Sequence, residues 1–196
     1  MDIINDNLNK NDEVRTRLGE MLSEKEVSND TRTQFISAYL DISLEHQEAI
    51  LLLIRRKLYG SASALVRSVF DTLCRALWVC KCASTEEIEK MSRDDHFEFP
   101  KNMMSIIDQQ YASDGFFSKI KKASWSAMSS YVHSGLLPVS RRFTGSVIQP
   151  NYEDGELIEI MSGATMSILL LSLLFFRNTG LREEAEKTEK MIMSYG

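Results

Sequence analysis

The sequence predicts an all-α fold, a single-domain bundle of about six to eight helices. Three observations carry that expectation. Apolar residues keep three- and four-residue intervals in segment after segment, the spacing of helices with a buried stripe. Only three prolines and nine glycines punctuate 196 residues, too few for the turns of a many-stranded sheet. A hydrophobic fraction of 43% can bury one sizeable core, and one domain is the default for this length.

Residues 1–29 read as a polar, acidic lead-in with a short helix near 11–25, where Val14, Leu18, Met21 and Leu22 share a face. The bundle itself is expected over 30–196. Asn29 or Asp30 can cap a long second helix running to about Tyr59, with Gly60 as its stop. Ser61–Cys82 follows, apolar almost all the way round, which marks a buried central helix. The short join predicts that these two helices pack antiparallel.

Ser84-Thr85-Glu86-Glu87 fits a capping box that opens a short fourth helix to about Ser92. The stretch from Arg93 to Phe99 breaks it, and Pro100 suits the start of a fifth helix over about 101–112. A sixth is expected from about 116 to His133, stopped by Gly135. Residues 136–154 contain Pro138, Gly145 and Pro150 and read as the longest irregular segment. A seventh helix begins near Gly155 and ends at Gly180, and a charged last helix runs from Arg182 to about Ser194.

The seventh helix holds an uncharged run, Ile160 to Phe176, at the lower edge of what crosses a membrane. Glu156 and Glu159 lead into it, five small or hydroxyl residues interrupt it, and no second apolar span accompanies it. A core helix that is also buried in a homodimer interface is the expectation, with no membrane partner. A formal charge of −5 excludes a generally basic nucleic-acid binder but leaves room for a local basic patch. Cys74, Cys80 and Cys82 lack a second pair to complete a zinc site and read as reduced thiols of a cytoplasmic protein. The N-terminal stretch has no basic region followed by an apolar run, so no secretory signal is expected there.

Two stretches can carry chemistry. Arg67, Asp71 and Arg75 lie on one ridge of the central helix, interleaved with Phe70, Cys74 and Trp78. Charges in such company are half-buried and need partners. Level-matching across the helix pair offers Glu45 or Glu48, and loss of Asp71 would then strand a cation. The second stretch, Trp125 to Gly135, places His133 on the last turn of its helix beside Tyr131 and Ser134. There the imidazole can act as general acid or anion-binding cation, or simply cap the helix. Arg141 and Arg142 follow as candidate RNA-backbone contacts, whereas Lys119, Lys121 and Lys122 read as a solvated helix face. No Glu-x-x-His, Gly-rich phosphate loop or Ser-His-Asp signature occurs, so neither metal nor cofactor is expected.

The pairing of Leu65-Val66-Arg67-Ser68-Val69-Phe70-Asp71 with Ser129-Ser130-Tyr131-Val132-His133-Ser134-Gly135 resembles a group of uncharacterised bacterial helical domains. The likeness covers roughly residues 30 to 180. That group is in turn similar to the HEPN-type helical proteins, many of them toxin or phage-defence ribonucleases that act as dimers without metal. The resemblance implies that Arg67 and His133 are the catalytic pair, with Tyr131, Ser134 and Asp71 in support. HEPN ribonucleases carry their Arg and His four to six residues apart on one helix. Here the only close pair is Arg93 and His96, in an expected loop. The other function class that fits the residues is a non-catalytic interaction or regulatory module with a cognate protein partner, in which the charged ridge fixes helix register.

Overall fold

The computed structural model describes residues 2–93 and 96–195, and among these it is all-α apart from one small hairpin. The elements are α1 (Ile3–Leu22), α2 (Thr31–Arg55), α3 (Tyr59–Lys81), α4 (Thr85–Met91), α5 (Met103–Gln110), α6 (Phe116–Val132) and α7 (Leu136–Ser140). The hairpin β1 (Phe143–Thr144) and β2 (Val147–Ile148) follows, then α8 (Asp154–Thr179) and α9 (Arg182–Tyr195). Asp94 and Asp95, in the expected break after α4, lie outside the described residues.

Central position goes to α3 because it is apolar on nearly every side. It packs against α2, α8 and α6. Trp78, Leu73 and Cys74 of α3 meet Ile36 and Leu40 of α2 and Phe175 and Phe176 of α8 in one cluster. At the other end Ala62 and Val69 join Ile50, Ile54, Met161 and Leu8. Each large side chain so buried contributes roughly 1.5–3 kcal/mol. A narrow polar seam crosses this core: Ser43 bonds Thr72, and Gln47 Nε2 donates to Thr165 Oγ1 at 3.0 Å.

Helix ends follow local chemistry where the sequence supplies it. Asp30 accepts from the Thr33 amide at 3.0 Å, and Ser84 and Glu87 complete their capping box at 3.1 and 2.8 Å. Gly180, at φ +75°, ends α8 in the left-handed conformation. Arg32 closes the far end of α3 by donating to the carbonyls of Val79 and Ala83.

Three expectations shift and a fourth holds. The lead-in is a full helix: α1 starts at Ile3, capped by Asp2, and buries Leu8 and Leu18. It is tied to the far terminus, where the Tyr195 hydroxyl donates to Asn11 Oδ1 in a buried bond. Second, α2 stops at Arg55, and Lys57, at φ +57°, takes the left-handed position after it. Gly60 lies inside α3 instead. Its missing side chain admits Arg142, whose Nη2 would be 2.8 Å from any Cβ there. Third, residues 136–154 hold α7 and an antiparallel hairpin pairing Phe143 with Ile148, turned at Gly145 (φ +60°). Finally, α8 is long and apolar enough to cross a membrane by length and composition, with mean hydropathy 1.9, yet half of that window is buried inside the fold. It is a core helix with one face left uncovered.

The bond between the two termini yields a test. Tyr195→Phe leaves the buried Asn11 carbonyl without its donor and should cost about 1–3 kcal/mol, lowering the thermal midpoint by several degrees. A midpoint within about a degree of wild type would mean that the contact does not anchor α1.

Candidate functional site

Two ridges face one another. On α3, Arg67, Asp71 and Arg75 recur every fourth residue, and on α6 Lys121, Trp125 and Ser129 do the same, with His133 as the residue that caps α6. The helices run in opposite directions along this seam, so Lys121 acts on Asp71 while His133 lies beside Arg67. The start of α6 is fixed by Asp108 of α5, whose carboxylate accepts from the amides of Phe117 (2.9 Å) and Ser118 (3.0 Å). Burial works against that charge, but the hydrogen bonds from Ser113, Ser118 and Phe117 hold the carboxyl below its ordinary range.

Arg67 is the hub. Its Nη1 donates to Ser129 Oγ at 3.2 Å and lies 3.5 Å from His133 Nε2. Its Nε is 3.7 Å from Asp71 Oδ2, and its guanidinium carbon sits 4.2 Å from the Trp125 ring centroid. Lys121 Nζ approaches the same ring at 5.0 Å. With 22% and 25% of their side chains exposed, Arg67 and Asp71 are half-buried as their apolar neighbours in the sequence imply. Arg75 is exposed and rests on Phe99, 4.9 Å from its centroid.

His133 hangs at a helix end built to expose it. Its amide closes onto Ser129 O at 3.0 Å, Ser134 takes the left-handed conformation (φ +52°), and the Gly135 amide returns to Ser130 O at 2.8 Å. Ser134, not Gly135, is therefore the residue that stops the helix. Gly135 is needed for closeness, because a Cβ there would lie 2.6 Å from Ser130 Oγ. The approach of Arg67 Nη1 to His133 Nε2 is at hydrogen-bond distance only for the tautomer that leaves Nε2 as an acceptor.

The remaining candidates are distributed around this pair. Tyr131 points to the other side of α6, where its ring lies 6.5 Å from that of Tyr152 beside a cavity of about 510 Å³. Arg141 forms an ion pair with Glu156, so its charge is already neutralised, and exposed Arg142 packs against Gly60. The expected acidic partners are elsewhere. Glu48 pairs with Arg15 of α1 at 3.2 Å, and Glu45 is exposed. The reason is helical phase: Ser43, Gln47, Ile50 and Ile54 form the buried stripe of α2, and both glutamates lie off it. Lys121, expected on a solvated face, belongs to the seam. Ser129 and Trp125 are partners that the sequence reading does not single out, although their four-residue spacing with His133 along α6 is the signal that could find them. Among the described residues no three His, Cys, Asp or Glu side chains gather closely enough to hold a metal ion.

Asp71 does not stabilise its ridge as an ion pair would. Burial pushes its carboxyl above the ordinary range, and this outweighs the pull of Arg75, Arg67 and Lys121. The folded state therefore keeps the proton to higher pH than the unfolded chain does. Stability from this group is complete at low pH and declines as pH rises through the raised value. Asp71→Asn should match wild type in thermal midpoint near about pH 3 and equal or exceed it at neutral pH. A variant penalised more at neutral pH than at acid pH would show that pairing dominates burial after all.

No curated protein and no solved structure matches the chain. A family model does match, over residues 40–195, a span that takes in the whole α3–α6 seam and both ends of the apolar helix α8. On that match the chain belongs to DUF6988, a family of unknown function.

Proposed function

We propose that the Arg67–His133 pair is a metal-independent, HEPN-like RNA-cleaving site, in a cytoplasmic homodimer that serves a toxin or phage-defence system. One observation supports this most: two residues 66 positions apart are brought to 3.5 Å, one a fixed cation and the other an exposed imidazole. Cleavage of a ribose–phosphate chain needs those two functions together. In the proposal, His133 removes the 2′-hydroxyl proton or returns one to the leaving 5′-oxygen, and Arg67 balances charge on the phosphorane. Trp125 and Asp71 hold the guanidinium in place, and Ser129 orients it. Exposed Arg142, packed against Gly60, is the nearer candidate for the RNA backbone, whereas Arg141 would first have to leave Glu156.

A second reading is favoured by a different observation. The donors of Arg67 are engaged within the chain, by Ser129 and Asp71. In an interaction or regulatory module that network would fix α6 on α3 and do no chemistry.

RNA cleavage by purified protein separates the two. The catalytic reading predicts that His133→Ala abolishes cleavage of single-stranded RNA, about 100-fold or more, with the thermal midpoint nearly unchanged and chelators without effect. A wild type inactive on a broad RNA set, combined with a clear loss of stability in His133→Ala, is the outcome of the module reading.

A further inference from the structure

The cavity beside Tyr131 is part of a longer trough. Its floor is the uncovered face of α8, where Ile160, Gly163, Ser167 and Leu170 alternate intervals of three and four. That is the seam pattern of a helix meant to pack on something. Its walls are Phe70 of α3 and Phe117 of α6. A second recess of about 500 Å³ shares Phe117 and Leu170 with it and continues along α8 to Asn178. Among the described residues none fills the space over Gly163, where an added Cβ would meet no atom within 4 Å.

At the rim stands an apolar knob. Leu137 of α7 faces the trough, while its neighbour Leu136 is 85% exposed and Ile148 of β2 is 78% exposed. Val139 of α7 and Phe143, which pairs with Ile148 on one face of the hairpin, are about half exposed around them. At about 150 Å² for a large side chain, these four offer on the order of 400 Å² of apolar surface. Where knob and trough meet, the charges of Arg141 and Glu156 cancel.

We propose that this face is the homodimer interface, with the α7–hairpin knob of each copy seated in the α8 trough of the other. The inference rests on the homodimer of the preceding reading and supplies its surface. A knob next to a trough on one face is self-complementary under a two-fold axis, which closes both contacts at once and leaves neither open for further addition. A trough loses about as much surface as the knob that covers it, so each copy would bury its own knob and an equal area of trough, close to the roughly 800 Å² per partner of a stable interface. An uncharged small molecule could fill the trough but would leave the knob bare. The second copy accounts for both.

Oligomeric state tests this without reference to RNA cleavage, so the two proposals fail separately. Sedimentation at micromolar concentration should give a dimer. Leu136→Asp with Ile148→Asp should weaken it by at least about 100-fold, and so should Gly163→Glu in the trough, each with unchanged helical circular dichroism. Mixing the knob variant with the trough variant should restore association in part, because one intact knob then meets one intact trough. A monomeric wild type, a dimer indifferent to both variants, or a mixture that stays monomeric would overturn the proposal. A wild-type monomer that instead binds phosphatidylcholine vesicles through Leu136 and Ile148 would overturn it in favour of a lipid surface.

Discussion

The packing of α6 on α3 is the constraint on which the site depends. Two sides of α3 are committed to α2 and α8, and what remains is the ridge of Arg67, Asp71 and Arg75. Helix α6 reaches the rest of the bundle chiefly through that ridge and through α5, where Asp108 fixes its first turn. A slip of one helical turn, about 5.4 Å, would carry His133 away from Arg67. Phe117 and Met128 of α6 lie in the core cluster with Phe70 and Leu73 of α3, Arg67 stacks on Trp125, and the register so held makes the pair.

The same arrangement explains the open trough. Because α6 leans on α3 and not on α8, the space between α6 and α8 stays unfilled, and the most apolar helix of the chain keeps a bare face. Tyr131 and His133 lie on opposite sides of the end of α6, one toward the trough and one toward Arg67. Whatever fills the trough therefore bears on the helix end that presents His133. The half-buried Asp71 is consistent with a site whose charges are placed at some cost to stability. Burial raises its carboxyl despite three nearby cations, one of which, Arg67, lies 3.7 Å away and stacks on Trp125.

Features governed by short-range chemistry were legible in the sequence. The caps at Asp30 and Ser84, the stop at Gly180, the buried character of α3 and the ridge itself follow from local spacing and residue type. Gly60 and Gly135 were misread as helix stops because glycine is the usual left-handed residue, whereas Lys57 and Ser134 take those positions. Gly60 instead lies under the guanidinium of Arg142 from a distant segment, and Gly135 lies against Ser130 within its own helix end. Neither Glu45 nor Glu48, the two partners that level-matching offers, meets the ridge, because level-matching fixes height along a helix pair but not rotation about each axis. Likewise the hairpin at Phe143–Ile148 is two residues deep on each side, too short for alternation to register. That Arg67 and His133 meet depends on the α3–α6 register alone, and the resemblance, rather than the spacing, nominated them as a pair.

A double-mutant cycle on RNA cleavage tests most directly whether Arg67 and His133 act as one unit. Groups that act together in one transition state lose nearly everything when either is removed, so their effects do not add. The account predicts that Arg67→Ala, His133→Ala and the double variant cleave single-stranded RNA equally poorly. Losses that multiply in the double variant, or single variants that cleave as wild type does, would contradict it.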